Sequence, residues 1–401
     1  MRFAHMADLH IGGWSDPKMT ELGLETFKRA IQKCIDEKLN FVLFSGDLFN
    51  SALPQIDYIK EVVIQLKKLK DSEIPSYIIA GSHDFSPSGK TMLDVLEKAG
   101  LVKNVVRFNE NKLLFTLDKK TNTKITGLLG KKGGLEKLDY ETLNCSELEN
   151  EPGFKIFMFH TALEEFKLKE HEKMDSMSVS SLPCNFNYYA GGHVHYIFEK
   201  DFGNGKLVFP GALFPNNFKE LEKFNHGGFY IVDDNLNLSY IPIKIKDVIA
   251  LKINADKKTP FQIYDEILNN LSQIDYNDKI ILIRISGTLE SGKPSDIDFN
   301  KIFNNLSGSY YILKNISKLS TKEFKKIEAK EGSVDEIENS LIDDYLKKSD
   351  DSIFIESSKL NLESLIPDLM KALCQIKNDG ENNKDYEKRV VSEAFKILNI
   401  K

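Results

Sequence analysis

Short apolar runs alternate with amphipathic stretches over the first part of the chain. Five of the runs have the length of buried strands, and in chain order they read RFAHMA, FVLFS, SYIIA, KIFMF and YYAGG. Between them, apolar residues recur at helical spacing in two stretches, one around Phe27 and Ile31 and the other around Val62 and Leu66. Helices that alternate with buried strands are typical of a layered α/β domain, which we predict for residues 1–245.

A smaller module follows, in which strand and helix patterns again alternate. The sequences VIALKI, KIILIRIS and SYYILKN predict three strands, and the spacing at residues 260–271 and 296–306 predicts two helices between them. We therefore expect a small α/β domain at residues 246–325. Residues 330–401 lose the strand pattern and predict a helical tail. Its last helix carries one apolar stripe, made of Tyr386, Val390, Ala394, Ile397 and Leu398.

Composition and charge narrow the class of protein. The chain has 401 residues, of which 41% are hydrophobic and 28% charged, and this excludes collagen-like and wholly disordered chains. A formal net charge of −6 argues against binding nucleic acid through bulk positive charge, so any phosphate-binding site must be local. The four cysteines form no CxxC pair, which argues against a zinc ribbon or a disulfide framework. No apolar run approaches ~18 residues, so we expect a cytoplasmic protein with neither signal peptide nor membrane span.

Histidines and aspartates gather at the carboxyl ends of the predicted strands. Five of the eight histidines lie there, and three acids lie close to them or at further strand ends. The histidines are His10, His83, His160, His193 and His195, and the acids are Asp8, Asp47 and Asp84. Because loops converge at the carboxyl ends of strands in α/β sheets, side chains that are distant in sequence can meet there. We interpret this set as a candidate metal site.

The spacing and chemistry of these residues strengthen the metal interpretation. In DLH and HVH, the first and third residues of an extended chain point the same way, so both can face one cavity. Carboxylates and imidazoles without thiolates suit manganese, iron or zinc better than magnesium alone or a structural zinc. The set is too large for one ion. Two ions about 3.5–4 Å apart that share a carboxylate form the usual clamp for attack on phosphorus.

The order of these motifs resembles the calcineurin-like metallophosphoesterase superfamily. That superfamily has D-x-H, G-D, G-N-H-[DE], a single histidine and G-H-x-H, and this chain has DLH, GDLF, GSHD, MFH and GGHVH in the same order. Within it, GDLFN after DLHIG and the later GFYIVD most resemble the SbcD-type nuclease subunit, also called meiotic recombination eleven. The resemblance implies an α/β fold with a layered β-sandwich core flanked by helices, then a capping domain and a helical ATPase-binding tail.

The resemblance also implies roles for individual residues. It implies two divalent metal ions, with Mn²⁺ as the first choice, that share Asp47. One ion would be held by Asp8, His10, Asp47 and His195, and the second by Asp47, Ser82, His160 and His193. His83 would stabilise the transition state and protonate the leaving oxygen, while Asp84 would orient His83. Ser82 departs from the family, which normally has asparagine there, and its shorter hydroxyl predicts a weaker contact with the second ion.

The implied function is a dinuclear metal-dependent phosphodiesterase that acts on DNA ends as a 3′–5′ exonuclease and an endonuclease. Its implied partners are an SbcC-type ATPase and a second copy of the chain. Two alternatives remain: a hydrolase of small phosphoesters with the same fold, and a DNA-tethering subunit with weakened catalysis, which only Ser82 suggests. Taken singly, His160 could also be a buried core histidine, and Asp8 and Asp47 could cap turns.

Overall fold

Two compact units, Met1–Thr321 and Lys322–Lys401, make up the chain. The computed structural model describes residues 1–110, 112–169, 172–322, 362–378 and 381–398. The first part of the predicted helical tail, residues 330–361, lies outside the described residues. The boundaries expected near residues 245 and 330 remain predictions.

Strands dominate the first unit. In chain order they are β1 (Arg2–Met6), β2 (Phe41–Ser45), β3 (Ser76–Ile79), β4 (Lys103–Asn104), β5 (Phe108–Asn109), β6 (Lys112–Leu113), β7 (Thr116–Leu117), β8 (Lys124–Gly127), β9 (Lys155–His160), β10 (Ala162–Leu163), β11 (Ser176–Met177), β12 (Tyr188–Gly192), β13 (Phe198–Phe202), β14 (Gly205–Phe209), β15 (Gly227–Asp233), β16 (Leu238–Ile243), β17 (Val248–Asn254), β18 (Ile280–Leu289) and β19 (Tyr311–Thr321). The α-helices of this unit are α1 (Pro17–Asp36), α2 (Ile56–Asp71), α3 (Met92–Lys98), α4 (Lys137–Glu141), α5 (Ser146–Asn150), α6 (Phe218–Phe224), α7 (Pro260–Ser272) and α8 (Phe299–Asn305).

The first six-stranded sheet has the strand order β16-β15-β1-β2-β3-β4. Strands β1 to β4 pair in parallel, and β15 and β16 extend the sheet with antiparallel pairing beside β1. Strand β2, with the sequence FVLFS, is buried along its whole length, as expected for a strand covered on both faces. Parallel pairing brings the carboxyl ends of β1, β2 and β3 to one edge of the sheet, where the first three motifs follow.

The second six-stranded sheet has the order β13-β14-β12-β9-β8-β7. Its central strands β8, β9, β12 and β14 are parallel, and the edge strands β7 and β13 are antiparallel to their neighbours. Strand β9 ends at His160, and the neighbouring β12 ends at Gly192, directly before His193. The last two motifs therefore follow the carboxyl ends of adjacent parallel strands.

An apolar core joins the facing surfaces of the two sheets. It combines Phe3 and Phe41 of the first sheet with Ile156, Met158 and Tyr188 of the second. The rings of Phe3 and Phe41 stack with centroids 4.9 Å apart, and Tyr188 meets Phe3 edge-on at 5.3 Å. Two sheets that share a core in this way form a β-sandwich.

Helices cover the outer face of the first sheet. Helix α1 begins after Asp16, whose carboxylate accepts hydrogen bonds from the backbone N–H groups of Lys18 and Met19 at 2.9 and 3.3 Å. Apolar side chains of α1, α2 and α3, including Phe27 and Leu66, pack with the strands into a second core. The predicted layered β-sandwich flanked by helices is confirmed.

The smaller module is a three-stranded parallel sheet with the order β17-β18-β19 and the helices α7 and α8 between its strands. This confirms the predicted α/β arrangement of strands and helices, whereas a separate domain at residues 246–325 remains a prediction. The single helix expected at residues 296–306 is wrong in detail, because a 3₁₀ turn at Pro294–Asp296 precedes a separate α8. The Asp298 side chain accepts from the backbone N–H of Lys301 at 3.0 Å, and this cap starts α8 later than expected.

One face of this three-stranded sheet packs on the sandwich. Ile280 and Leu282 of β18 join Met19 and Leu22 of α1 and Leu221 of α6 in a shared apolar cluster. Polar contacts surround the cluster, since the guanidinium of Arg284 on β18 pairs with the carboxylate of Glu222 on α6 at 2.9 Å. The module thereby contacts α6, the helix that follows the last histidine motif.

In the second unit, the structure describes two helices, Leu362–Leu373 and Asn383–Ile397. They contact each other, and the hydroxyl of Tyr386 donates a hydrogen bond to the carbonyl oxygen of Gln375 at 2.9 Å. Ala394 of the predicted apolar stripe is buried, whereas Val391 and Phe395 beside it are about half exposed. Within the described parts of the chain, no helix is long and apolar enough to cross a membrane.

Candidate metal centre

Asp8 and Asp47 lie two residues beyond the ends of β1 and β2, and both are buried. Backbone hydrogen bonds join their loops, from Asp8 N–H to Gly46 O at 3.1 Å and from His10 N–H to Asp47 O at 2.9 Å. Both aspartates have left-handed backbone conformations, with φ of 52° and 50°. Left-handed backbone at a residue other than glycine costs about 1–3 kcal/mol, and such strain gathers at functional sites. The fold therefore holds two carboxylates in one small volume.

His10 and His195 bring their imidazole rings together beside these acids. Their Nε2 atoms are 3.1 Å apart, His10 Nε2 is 3.6 Å from an Asp47 oxygen, and His195 Nε2 is 3.9 Å from an Asp8 oxygen. Two unprotonated ring nitrogens at this distance repel each other through their lone pairs. The contact therefore requires a proton or a cation beside them. Asp8, His10 and His195 form one group whose ligand atoms all lie within 4.8 Å of one another.

His160 contacts the same acids from the second sheet. Its Nδ1 donates a hydrogen bond to the carbonyl oxygen of Ser45 at 2.8 Å, which leaves Nε2 facing Asp47 at 3.1 Å and Asp8 at 3.9 Å. The close fit requires Gly46, since a Cβ atom there would lie 2.1 Å from His160 Nδ1. Asp8, Asp47 and His160 form a second compact group of possible ligands.

His193 and Ser82 lie around this second group. The backbone N–H of His193 donates to both carboxylate oxygens of Asp8 at 3.0 Å, and its ring lies 5.2 Å from the His160 ring. The Ser82 hydroxyl lies 3.4 Å from the Asp47 oxygen that also contacts His160. The structure thus brings all seven residues that were expected as metal ligands to one place.

His83 and Asp84 stand at the side of the cluster. The ring of His83 lies 4.8 Å from the ring of His10, and its Nδ1 donates to the carbonyl oxygen of Asn50 at 3.0 Å. The buried carboxylate of Asp84 accepts hydrogen bonds from the backbone N–H groups of Leu48, Phe49 and Gly81 at 3.0, 3.0 and 3.2 Å. Asp84 therefore joins the loop after β2 to the loop after β3, which carries His83, and the bond that orients the His83 ring goes to Asn50.

Burial and proximity shift the pKa values of these groups. Burial raises the pKa of Asp8 to about 6, although the nearby histidines oppose the shift. Burial also acts to raise the pKa of Asp47, but the attraction of His160 outweighs it and holds that pKa well below its usual range. Burial acts to lower the pKa of His160, but the attraction of Asp47 outweighs burial, and the pKa is raised to about 10. Burial lowers the pKa of His10 and of His193 to about 3.

These shifts bear on whether the residues fit a metal. A buried ionised carboxylate such as Asp47 requires positive charge beside it, which here comes from a protonated His160. Divalent cations can take over that compensation, and they bind imidazoles in the neutral form that burial already favours at His10 and His193. Together with the carboxylate and imidazole donor set, this makes the cluster fit a divalent metal centre.

Sequence reasoning missed two residues that support the ligands. The side-chain oxygen of Asn50 lies 3.2 Å from His10 Nδ1, while its backbone oxygen binds His83. Glu220 on α6 accepts a hydrogen bond from His195 Nδ1 at 3.0 Å. Asn50 directly follows the GDLF motif and could have been noticed there. No sequence signal points to Glu220, because it lies 25 residues beyond its partner.

Comparisons with known proteins agree with this geometry. Residues 1–197 match the family model described as Calcineurin-like phosphoesterase. A DNA double-strand break repair protein Mre11 from Methanococcus maripaludis is 28% identical over 376 residues, which are 87% of this chain and 91% of that protein. The Mre11 protein of Sulfolobus acidocaldarius is 27% identical over 366 residues, 86% of this chain and 90% of its own. Among solved structures, a dimetal phosphatase from Danio rerio has 9% identity and a TM-score of 0.39 over 58% of this chain and 91% of that chain, too low to support any statement about the fold.

The matched range contains the five motifs on which the superfamily resemblance depended. It begins before DLH and ends after GGHVH, so the five motifs and the buried cluster they form lie inside it. The resemblance inferred from the order of the motifs is thereby confirmed, and residues 1–197 of this chain belong to the calcineurin-like phosphoesterase family.

Proposed function

We propose that this protein is a metal-dependent nuclease that hydrolyses phosphodiester bonds at DNA ends during double-strand-break repair. The family supports a metal-dependent phosphodiester hydrolase, and the names of its Mre11 relatives support DNA repair as the setting. The observation that carries the proposal is the position of Asp47, whose carboxylate lies 3.6 Å from Nε2 of His10 and 3.1 Å from Nε2 of His160. A carboxylate between two such histidines can be shared by two ions about 3.5–4 Å apart, the spacing usual in two-metal sites.

The proposed ligands divide around Asp47. Asp8, His10, Asp47 and His195 would hold one ion, and Asp47, Ser82, His160 and His193 would hold the other. Mn²⁺ is the proposed ion because it accepts mixed carboxylate and imidazole ligands. When bound, two such ions supply an activated water and neutralise charge on the phosphate. The protein's own contribution is to hold these side chains in place. None of the proposed ligands is a thiolate.

His83 is the proposed general acid. Its Nδ1–H is held by the carbonyl oxygen of Asn50, so Nε2 is the ring nitrogen that can give a proton to the leaving oxygen. The backbone N–H of His83 also donates to Asp47 at 2.7 Å, which holds the backbone of His83 beside the centre. Asp84 would act indirectly by holding the loop that carries His83.

A cavity beside the cluster suits a phosphate-bearing substrate. It has a volume of about 250 Å³, adjoins His193 and His195, and carries Lys219 and Lys223 in its wall. Two lysines next to the centre provide local positive charge in a chain whose formal net charge is −6. This supports attraction of a phosphodiester to the centre.

Nuclease assays separate this proposal from its alternatives. Linear duplex DNA and a chromogenic small phosphodiester are incubated with the full chain and Mn²⁺, with and without chelator. We expect chelator-sensitive release of nucleotides from DNA and much slower hydrolysis of the small ester. Hydrolysis of the small ester alone would favour a small-molecule phosphodiesterase. Binding of DNA without hydrolysis of either substrate would favour a tethering subunit.

The proposed partners are an SbcC-type ATPase and a second copy of this chain, in the cytoplasm. We assign residues 1–245 to the nuclease domain, 246–325 to the capping domain and 330–401 to ATPase binding. Support for the last comes from exposed apolar side chains in the described part of the second unit, among them Ile376, Val391 and Phe395, with 88%, 49% and 47% exposure. A chain that ends near residue 330 is expected to keep its nuclease activity and to lose the ATPase in a pull-down. Undiminished ATPase binding would contradict this assignment.

A further inference from the structure

Glu220 makes a close contact with the metal centre from outside the proposed ligand set. Its Oε1 accepts a hydrogen bond from Nδ1 of His195 at 3.0 Å, and its side chain is only 17% exposed. The other oxygen, Oε2, accepts from the backbone N–H of Asn216 at 2.9 Å. The amide of Asn217 donates to Oε1 as well. Asn216 and Asn217 therefore hold the carboxylate of Glu220 in place independently of its bond to His195.

This contact determines which nitrogen of His195 faces the cluster. A carboxylate can only accept a hydrogen bond, so Nδ1 must carry the proton, and Nε2 is the atom left to face His10 at 3.1 Å and Asp8 at 3.9 Å. His195 lies in a loop beyond β12, with no strand or helix to hold its ring. A histidine that binds a metal is commonly fixed by a carboxylate on its other nitrogen.

We propose that Glu220 is a positioning residue of the metal centre, which fixes the tautomer and the ring orientation of His195 so that Nε2 is available as a ligand. This inference rests on the proposed function, because it gives Glu220 a role only if the cluster binds metal ions. Glu220 itself is not one of the proposed ligands of either ion. Its effect is on the affinity of the site that contains His195.

Glu222 provides a matched control on the same helix. It lies two residues after Glu220 on α6, its side chain is 11% exposed, and it also accepts hydrogen bonds from a nitrogen donor, Nε of Arg284, at 2.9 and 3.0 Å. The partner of Glu222 belongs to the three-stranded sheet and not to the metal cluster. Substitution of either glutamate removes one partly buried carboxylate from α6, but only the loss of Glu220 releases His195.

Calorimetric titration of the metal-free full-length protein with Mn²⁺ tests the inference. The proteins compared are the wild type, Glu220→Ala, Glu220→Gln and Glu222→Gln. We expect Glu220→Ala to weaken one of the two binding steps by roughly 10–100-fold, the usual effect of removing such a partner. Glu220→Gln should show a smaller loss, because its amide oxygen can still accept from Nδ1–H. Glu222→Gln should bind as the wild type does.

The visible absorption of the Co²⁺-loaded proteins provides a second measurement that does not depend on turnover. The spectrum reports ligand geometry, so we expect it to change in Glu220→Ala and to stay unchanged in Glu222→Gln. Thermal unfolding of each metal-free protein shows whether it is folded. If Glu220→Ala does not fold, Glu220→Gln carries the test, since it has the same size.

Three results would overturn the inference. Wild-type Mn²⁺ affinity and an unchanged Co²⁺ spectrum in both Glu220 variants would remove the positioning role and leave the metal centre standing. Equal losses in Glu220→Gln and Glu222→Gln would assign the effect to the helix and not to the carboxylate. A wild-type protein that binds no Mn²⁺ would overturn the proposed centre, and the role of Glu220 would fall with it.

Discussion

The sandwich and the three-stranded sheet of the first unit both place aspartates just beyond parallel strands, but the two regions use them differently. Beyond β17, the exposed Asp256 accepts a hydrogen bond from the backbone N–H of Thr288 at 2.7 Å. Beyond β1 and β2, the buried Asp8 and Asp47 face imidazole nitrogens of His160. The carboxylate of Asp256 pairs with a backbone N–H of the neighbouring strand, whereas the buried carboxylates of Asp8 and Asp47 require positive charge beside them.

Backbone conformation separates the two regions as well. In the three-stranded sheet and its loops, the left-handed residues other than glycine are Lys257 and Asp278, and both lie in exposed turns. In the sandwich, left-handed residues also occur away from the cluster, as at Lys38 and Glu73, but Asp8, His10, Asp47 and His193 have this conformation at the cluster itself. An acid at a strand end is thus a weak indicator of chemistry. Strain, burial and opposing charge at the same residues are a strong one.

Substitution of the shared carboxylate should have the largest effect. We expect Asp47→Ala to weaken Mn²⁺ binding by more than ~100-fold and to abolish nuclease activity, because it removes a proposed ligand of both ions, whereas partners of ligands already contribute ~10–100-fold. Calorimetry with Mn²⁺ and the DNA assay measure both. Asp256→Ala is the matched control and should leave both unchanged. Similar losses in the two variants would remove the distinction between the regions.

His83→Ala should leave the metals bound and still remove most of the activity. The loss expected for a general acid is ~100–10,000-fold in turnover, because the proposed proton donor is removed. Turnover on DNA and Mn²⁺ affinity are measured on the same preparation. If metal affinity falls together with activity, His83 is a ligand and not an acid. Near-normal turnover would contradict both roles.

Ser82→Asn should strengthen Mn²⁺ binding at the cluster in the sandwich. The hydroxyl of Ser82 lies 3.4 Å from Asp47, and the longer amide carbonyl of asparagine would reach farther toward the same position. We expect tighter Mn²⁺ binding at the weaker of the two steps in a calorimetric titration. Identical titrations of the two proteins would mean that this position does not contact an ion.

Asp256→Ala should produce the smallest effect and one of a different kind. Loss of its hydrogen bond to the Thr288 N–H should lower the free energy of unfolding by about 0.5–1.5 kcal/mol, the usual contribution of one such bond. Urea unfolding of the metal-free protein measures this. A change in metal affinity with no change in stability would show that the module influences the centre in a way its contacts do not indicate.

The sequence could predict the strands and the chemistry because both leave local patterns. Buried strands such as FVLFS are short apolar runs, and the ligands follow them within a few residues. The sandwich arrangement came only from the family resemblance, since no local pattern states which sheets face each other. Glu220 could not be predicted, because its contact with His195 depends on the path of the chain between them. The start of α8 was also missed, as it depends on one cap, Asp298.

An anomalous-scattering map of crystals grown with Mn²⁺ tests the central claim most directly, because it counts and locates ions without relying on turnover. The account predicts two peaks about 3.5–4 Å apart, with the carboxylate of Asp47 between them. His10 and His195 should lie beside one peak, and His160 and His193 beside the other. A single peak would contradict the dinuclear centre, and a map with no peak among these residues would contradict the metal centre altogether.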